Sequence, residues 1–169
     1  MHAENSSFLL SALLALPFLA MVVIAVSSEK MARQLAISCS ILLVLLSVFI
    51  ATGFRSSLVG YQFEQQVPWI AAPLPVAYHV GIDGLSLCLV LLTTFVTLMA
   101  VLASDTVTMR PKLYYSMVML LTVSILGVFI SLDLLQFFVF YELELVPMYF
   151  LIAIWGGPRR DYAAMKFLL

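Results

Sequence analysis

The feature that most restricts this chain is a series of apolar runs, each about 20 residues long. That is the length needed to cross a hydrocarbon core of about 30 Å. Five can be drawn, at 8–26, 35–54, 84–103, 113–131 and 134–155. A sixth starts near Ala163 and is cut off at Leu169. In lipid every backbone polar group must be satisfied within the protein, so each run is expected to be a helix. Composition points the same way: 64% of the residues are hydrophobic and 10% charged, against roughly 25% charged in a soluble domain. The expected fold is all-α and integral to the membrane: five transmembrane helices plus the start of a sixth, in one transmembrane region. The open sixth run, with no cap or polar tail, reads as a truncation.

Orientation follows from the basic residues. Lys30 and Arg33 lie between the first two runs, Arg110 and Lys112 between the third and fourth, and Arg159 and Arg160 after the fifth. These loops share one side, which is expected to be the cytoplasm or its organellar equivalent. Only Arg55 lies opposite, and Lys166 falls in the nascent sixth run. The N terminus is therefore expected outside. His2 and Glu4 replace the positive n-region of a signal peptide, so the first run is kept as a span. The net charge of −1 offers no basic surface for nucleic acid.

The outer loop, 55–80, carries Pro68, Pro73 and Pro75 together with Trp69 and Tyr78. Proline at that density rejects a regular helix. A folded interfacial loop is expected, with a short helical or extended piece around 62–69 and no metal-ligand cluster. Asp83 precedes the third run as an expected helix cap. His79 is expected to be interfacial and structural. Cys39 and Cys88 fall in different runs and read as small buried residues, not a disulfide. Ser86, Thr93, Thr97, Ala100 and Ser104, and likewise Ser40 and Ser47, follow helical spacing. Such stripes point to close helix packing or, alternatively, to a hydrated path.

Glu142 and Glu144 interrupt the fifth run, and Pro147 follows them. Glu142 lies about 12 Å in from Leu134 at 1.5 Å per residue, near mid-membrane. Ionised carboxylates at that depth are costly, rare and mostly functional. Glu144 is two residues on and points about 200° away round the helix, so the pair cannot share one pocket. Pro147 frees the carbonyl of Leu143, producing either a plain kink or a water site between the glutamates. Burial raises the pKa of a carboxylate and a nearby cation lowers it, which makes a buried glutamate a candidate proton switch. Lys166 either snorkels to the nearby surface or joins a charge-transfer path. No Gly-rich nucleotide loop, metal-ligand set or catalytic triad candidate is visible.

The segment from Tyr141 through Glu142, Glu144, Pro147 and Met148 to Trp155, Gly156 and Gly157 closely resembles the fifth-helix signature of the antiporter-like subunits of respiratory complex I, in particular the M-type subunit (chain 4, or D-type in plastids). Val80 to Ser86, followed by Leu91 to Thr94, resembles the start of that family's third helix. Arg160 to Phe167, with Tyr162 to Lys166, resembles its entry into helix six. The resemblance is strong over 78–169 and weak before. It implies that Glu142 is a proton-relaying residue paired with a lysine on a later helix, that Glu144 is secondary, and that Lys166 is a tentative third participant. It implies about fourteen helices in the whole subunit, with two inverted repeats. It further implies an NADH–quinone oxidoreductase, a proton-translocating assembly. There NADH or another donor, FMN, iron–sulfur clusters and quinone belong to partner subunits, and no cofactor or metal is held by this chain. Expected partners are other membrane subunits, the lipid bilayer and protons. The expected location is a bacterial plasma membrane, or a thylakoid or inner mitochondrial equivalent. Two alternatives stay open: a subunit of a multi-subunit cation/proton antiporter or membrane-bound hydrogenase, and a truncated structural module without transport.

Overall fold

The computed structural model describes residues 4–55, 60–70 and 76–168. Its helices are α1 (Glu4–Val26), α2 (Glu29–Gly53), α3 (Gly84–Ala103), α4 (Pro111–Ile130), α5 (Leu134–Trp155) and α6 (Arg160–Leu168). The first five are long and apolar enough to cross a membrane. α2 begins six residues before the apolar run that predicts it, so Lys30 and Arg33 lie inside the helix and not in a loop. Charge at a membrane surface does not stop a helix; it ends the apolar run first.

α4 is the central helix and packs against α1, α2, α3 and α5. α2 buries a stripe comprising Ala32, Ala36, Cys39, Ser40, Leu43, Ser47 and Ile50. This three-to-four spacing places one helical face against its neighbours. Small residues on that face allow close approach, and its hydroxyls are used inside the bundle. Ser47 Oγ lies 2.9 Å from Thr94 Oγ1, joining α2 to α3. Thr97 Oγ1 lies 3.2 Å from Thr122 Oγ1, joining α3 to α4. The polar stripes thus serve packing at Ser40, Ser47, Thr97 and Ser104, all buried. α4 and α5 meet closely at Gly127, where an added Cβ would run into the Phe140 ring.

The loop between α2 and α3 is an antiparallel β-hairpin, β1 (Gln62–Ile70) with β2 (Val76–Ile82). Of the two local forms expected around 62–69, the extended one is found. Pro68 is accommodated because a two-stranded ribbon has only edge strands. Register irregularities fall between Gln62 and Gln65 and between Pro68 and Ile70. Phe63, at φ 56°, sits in the first of these. Pro73 and Pro75 lie outside the described residues. Val80 and Ile82 are fully buried, so β2 belongs to the core. Cys39 is buried as expected, but Cys88 is exposed on the outer face of α3, and both are free thiols. Cys88 corrects the expectation: an apolar run crossing a membrane presents part of its circumference outward whatever its composition.

Candidate functional site

The site is built on α5. Asp133 caps it, accepting from the N–H groups of Leu135 (2.9 Å) and Gln136 (3.1 Å). Asp83 does the same for α3, accepting from Ser86 N–H at 2.7 Å. That bond holds the Asp83 carboxyl below the usual carboxylate range. Both caps serve orphan N–H groups at the positive end of a helix dipole.

α5 has the least covered flanks of the five long helices, with only Gln136 and Pro147 buried. Glu142 is exposed and Glu144 is half-buried. Their difference follows from the helical wheel. Glu144 lies about 20° from Leu151, on the flank turned toward α4, whereas Glu142 lies about 180° from it. Burial of Glu142 is thus not supplied by this bundle. Among the described residues no ion pair reaches either glutamate; the one present joins His79 Nε2 to Glu64 Oε1 at 2.6 Å. Lys166 is exposed on α6, with its Nζ 5.7 Å from the centre of the Tyr162 ring. Glu142, Glu144 and Lys166 are therefore not brought together. Pro147 is buried within an unbroken α5.

The two ends of α5 are held differently. At the hairpin end, the Gln136 side chain accepts from His79 N–H at 2.8 Å, and Leu132 N–H donates to His79 O at 2.9 Å. Gln136 is buried and its Nε2 has no partner among the described residues. Ser11 ties α1 to the hairpin, donating to Gln65 Oε1 (2.5 Å) and lying 2.9 Å from Tyr78 OH. At the opposite end, the Trp155 indole donates to Met109 O at 2.9 Å and meets the Tyr114 ring edge-on.

Basic side chains gather at that second end and cap helix C-termini. Lys112 Nζ donates to Ser27 O (3.0 Å), Arg160 Nη1 to Ile154 O (2.8 Å) and Arg33 Nη2 to Leu102 O (3.5 Å). Each places a cation on the negative end of a helix dipole. Sequence reasoning used Arg33 and Lys112 only for orientation. It also passed over Asp133, Gln136, Thr122, Tyr114 and Gly127. The rule applied to Asp83, an acid immediately before an apolar run, also finds Asp133. Nothing local marks Gln136, whose partner is far away in sequence.

Residues 131–169, which contain α5 and α6, match the family described as NADH:quinone oxidoreductase/Mrp antiporter, transmembrane. Over 164 residues, 95% of this chain, the sequence is 37% identical to NAD(P)H-quinone oxidoreductase chain 4-2 of Synechocystis sp.. Over nearly its whole length the chain is thus similar to one part of a chain 4 subunit of NAD(P)H-quinone oxidoreductases. It spans 29% of the length of that curated relative. The antiporter-like fold is also seen in two solved assemblies. In respiratory complex I from Thermus thermophilus with bound NADH, the match has a TM-score of 0.80 at 22% identity, covering 94% of this chain and 32% of the other. In the archaeal membrane-bound sulfane sulfur reductase it has a TM-score of 0.71 at 15% identity, covering 98% and 33%.

Proposed function

We propose that the chain is the N-terminal part of a proton-translocating, M-type subunit of an NADH–quinone oxidoreductase-type complex. Glu142 relays the proton, Glu144 has a secondary role, and Lys166 stays near the basic surface. Quinone reduction takes place in other subunits, which hold the flavin and iron–sulfur clusters. The coupling arrives electrostatically, as a nearby cation approaches or leaves Glu142.

The observation that carries this reading is Glu142 on the uncovered face of a membrane-length helix. A carboxylate cannot stay ionised against lipid; it takes up a proton or gains a partner. With no cation beside it among the described residues, its partner is a lysine outside these 169 residues. A group poised between those two states is a proton switch. The chain sits in a bacterial plasma membrane or a thylakoid, with the N terminus on the outer side and other membrane subunits beside it.

Difference infrared spectroscopy of the assembled complex tests this. A protonated-carboxyl band that changes on turnover and disappears in Glu142→Gln is expected. A turnover spectrum identical in the two proteins overturns the relay. The antiporter alternative keeps a specific observation in its favour, since the matched family includes Mrp antiporters. Flavin and iron–sulfur absorbance that co-purify with the chain decide for the oxidoreductase.

A further inference from the structure

α5 carries Glu142, yet few of its side chains are held. Only Gln136 and Pro147 are buried. Among the described residues only Gln136 and Trp155 reach from α5 to hydrogen-bond another element. Apolar contact is non-directional, whereas a hydrogen bond weakens steeply off its axis. Gln136 precedes Glu142 by about 9 Å along the helix, and Trp155 follows it by about 20 Å. Gln136 is therefore the nearer directional restraint. We propose that Gln136 is a positioning residue for the relay: by holding α5 to β2 it sets the rotation and height at which Glu142 meets its partner. This rests on Glu142 being the relay residue.

The anchor is made on both sides of Gln136. Its backbone N–H donates to Asp133 Oδ1 at 3.1 Å, and its side-chain oxygen accepts from His79 N–H at 2.8 Å. His79 O accepts in turn from Leu132 N–H at 2.9 Å, and Val80 bridges to Ser131. Both backbone groups of His79 are thus engaged by the segment that opens α5. β2 is a firm support, because Val80 and Ile82 are fully buried and the strand is paired with β1. Gln136, Phe140 and Pro147 fall within about 40° of one another on the helical wheel, and Glu142 stands about 120° from Gln136. The Phe140 ring abuts Gly127 of α4. Holding this face of α5 therefore fixes the direction of Glu142.

The chemistry of Gln136 fits positioning better than stability alone. Gln136 is 4% exposed, and its Nε2 has no partner among the described residues. An unpaired buried donor is a cost that an apolar side chain at this position avoids. What the amide adds is direction. The lever is long. A helix with its side chains is about 10–12 Å across, so a slip of about 20° carries the tip of Glu142 about 2 Å. A misplacement of about 1 Å between reacting groups can cost about 10²-fold in rate.

The test uses the assembled complex and three readings on each variant: hydrogen exchange in β2, proton pumping, and the turnover infrared band of Glu142, assigned in each background by its loss on adding Glu142→Gln. Gln136→Met keeps the length of the side chain and removes the acceptor. It should raise exchange at the His79 amide and lower both pumping and the band at least tenfold, the scale that an ångström-sized misplacement sets. Gln136→Glu returns an acceptor to His79 and should recover most of both. Should Gln136→Met not assemble, Gln136→Asn, one methylene short of His79, is read the same way. Raised exchange with pumping and band unchanged would overturn the positioning role, as would unchanged exchange, or equal losses in Gln136→Met and Gln136→Glu. A band absent from the unmodified complex would instead remove the relay reading, and this inference with it.

Discussion

Two glutamates separated by a single residue meet different surroundings because a helix turns about 100° per residue. Glu144 turns toward α4 and is half-buried, while Glu142 turns outward. Glu142→Gln is therefore expected to affect proton movement far more than Glu144→Gln. Side by side, proton pumping rates of the two variants should differ by at least tenfold; equal losses would contradict the geometry. The cap at Asp83 gives a second prediction at this scale. Asp83→Ala should cost about 1 kcal/mol, the usual worth of an N-cap side chain. The folded-state pKa of Asp83 is lowered, so its contribution is present above the unfolded value of about 3.9. It fades as pH falls below that value through the folded pKa. Asp83→Asn keeps the cap and should flatten the acid limb, read as thermal unfolding in detergent between about pH 3 and 6, a range that brackets the unfolded carboxylate value. An unchanged acid limb in that variant would show that the cap does not titrate.

Among the elements, the hairpin and the α4–α5 contact make separate predictions. The His79–Glu64 pair is partly exposed, and such pairs are worth about 0–1 kcal/mol. The Gln136 contact is buried, and leaving His79 N–H without an acceptor costs about 1–3 kcal/mol. Gln136→Leu should thus raise hydrogen exchange in β2 more than His79→Ala does; the reverse order would mean that the side-chain pair holds the hairpin. Gly127→Ala should drive α4 from α5, with an overpacking cost of about 1–3 kcal/mol. Phe140→Ala in the same chain should recover part of it, a coupling that a double-mutant cycle measures. Elements differ in how readily the sequence discloses them. α3 and α5 could be read because their helices coincide with the apolar runs 84–103 and 134–155. The start of α2 was hidden because Lys30 and Arg33 look like loop residues. The strands gave only the proline signal. Their pairing joins residues up to 20 positions apart, Gln62 with Ile82, and the clamp of Gln136 on His79 joins residues 57 positions apart, which no local pattern reports.

For the whole molecule, three of the basic side chains from which orientation is inferred, Arg33, Lys112 and Arg160, also cap helix ends. The N-out topology proposed from the positive-inside rule is tested by labelling: a cysteine introduced at Ser57, outside the described residues, should label from the outer side, and one at the exposed Thr108 only from the inner side. The opposite pattern would invert the molecule. The proposed relay carboxylate, Glu142, could be singled out from the sequence because a charge within an apolar run is costly anywhere. Its exposure could not, because that depends on which helices cover α5. With the proposed relay residue facing outward and no cation paired with it among the described residues, the chain is not expected to be a self-sufficient transporter. Residues 1–169 alone in proteoliposomes should conduct no protons, and flux abolished by Glu142→Gln would place the partner within this chain. The most direct measurement of the central claim uses the assembled complex. Proton pumping driven by quinone reduction should be nearly abolished in Glu142→Gln while the subunits still assemble. Pumping at the unmodified rate in that variant would contradict the account.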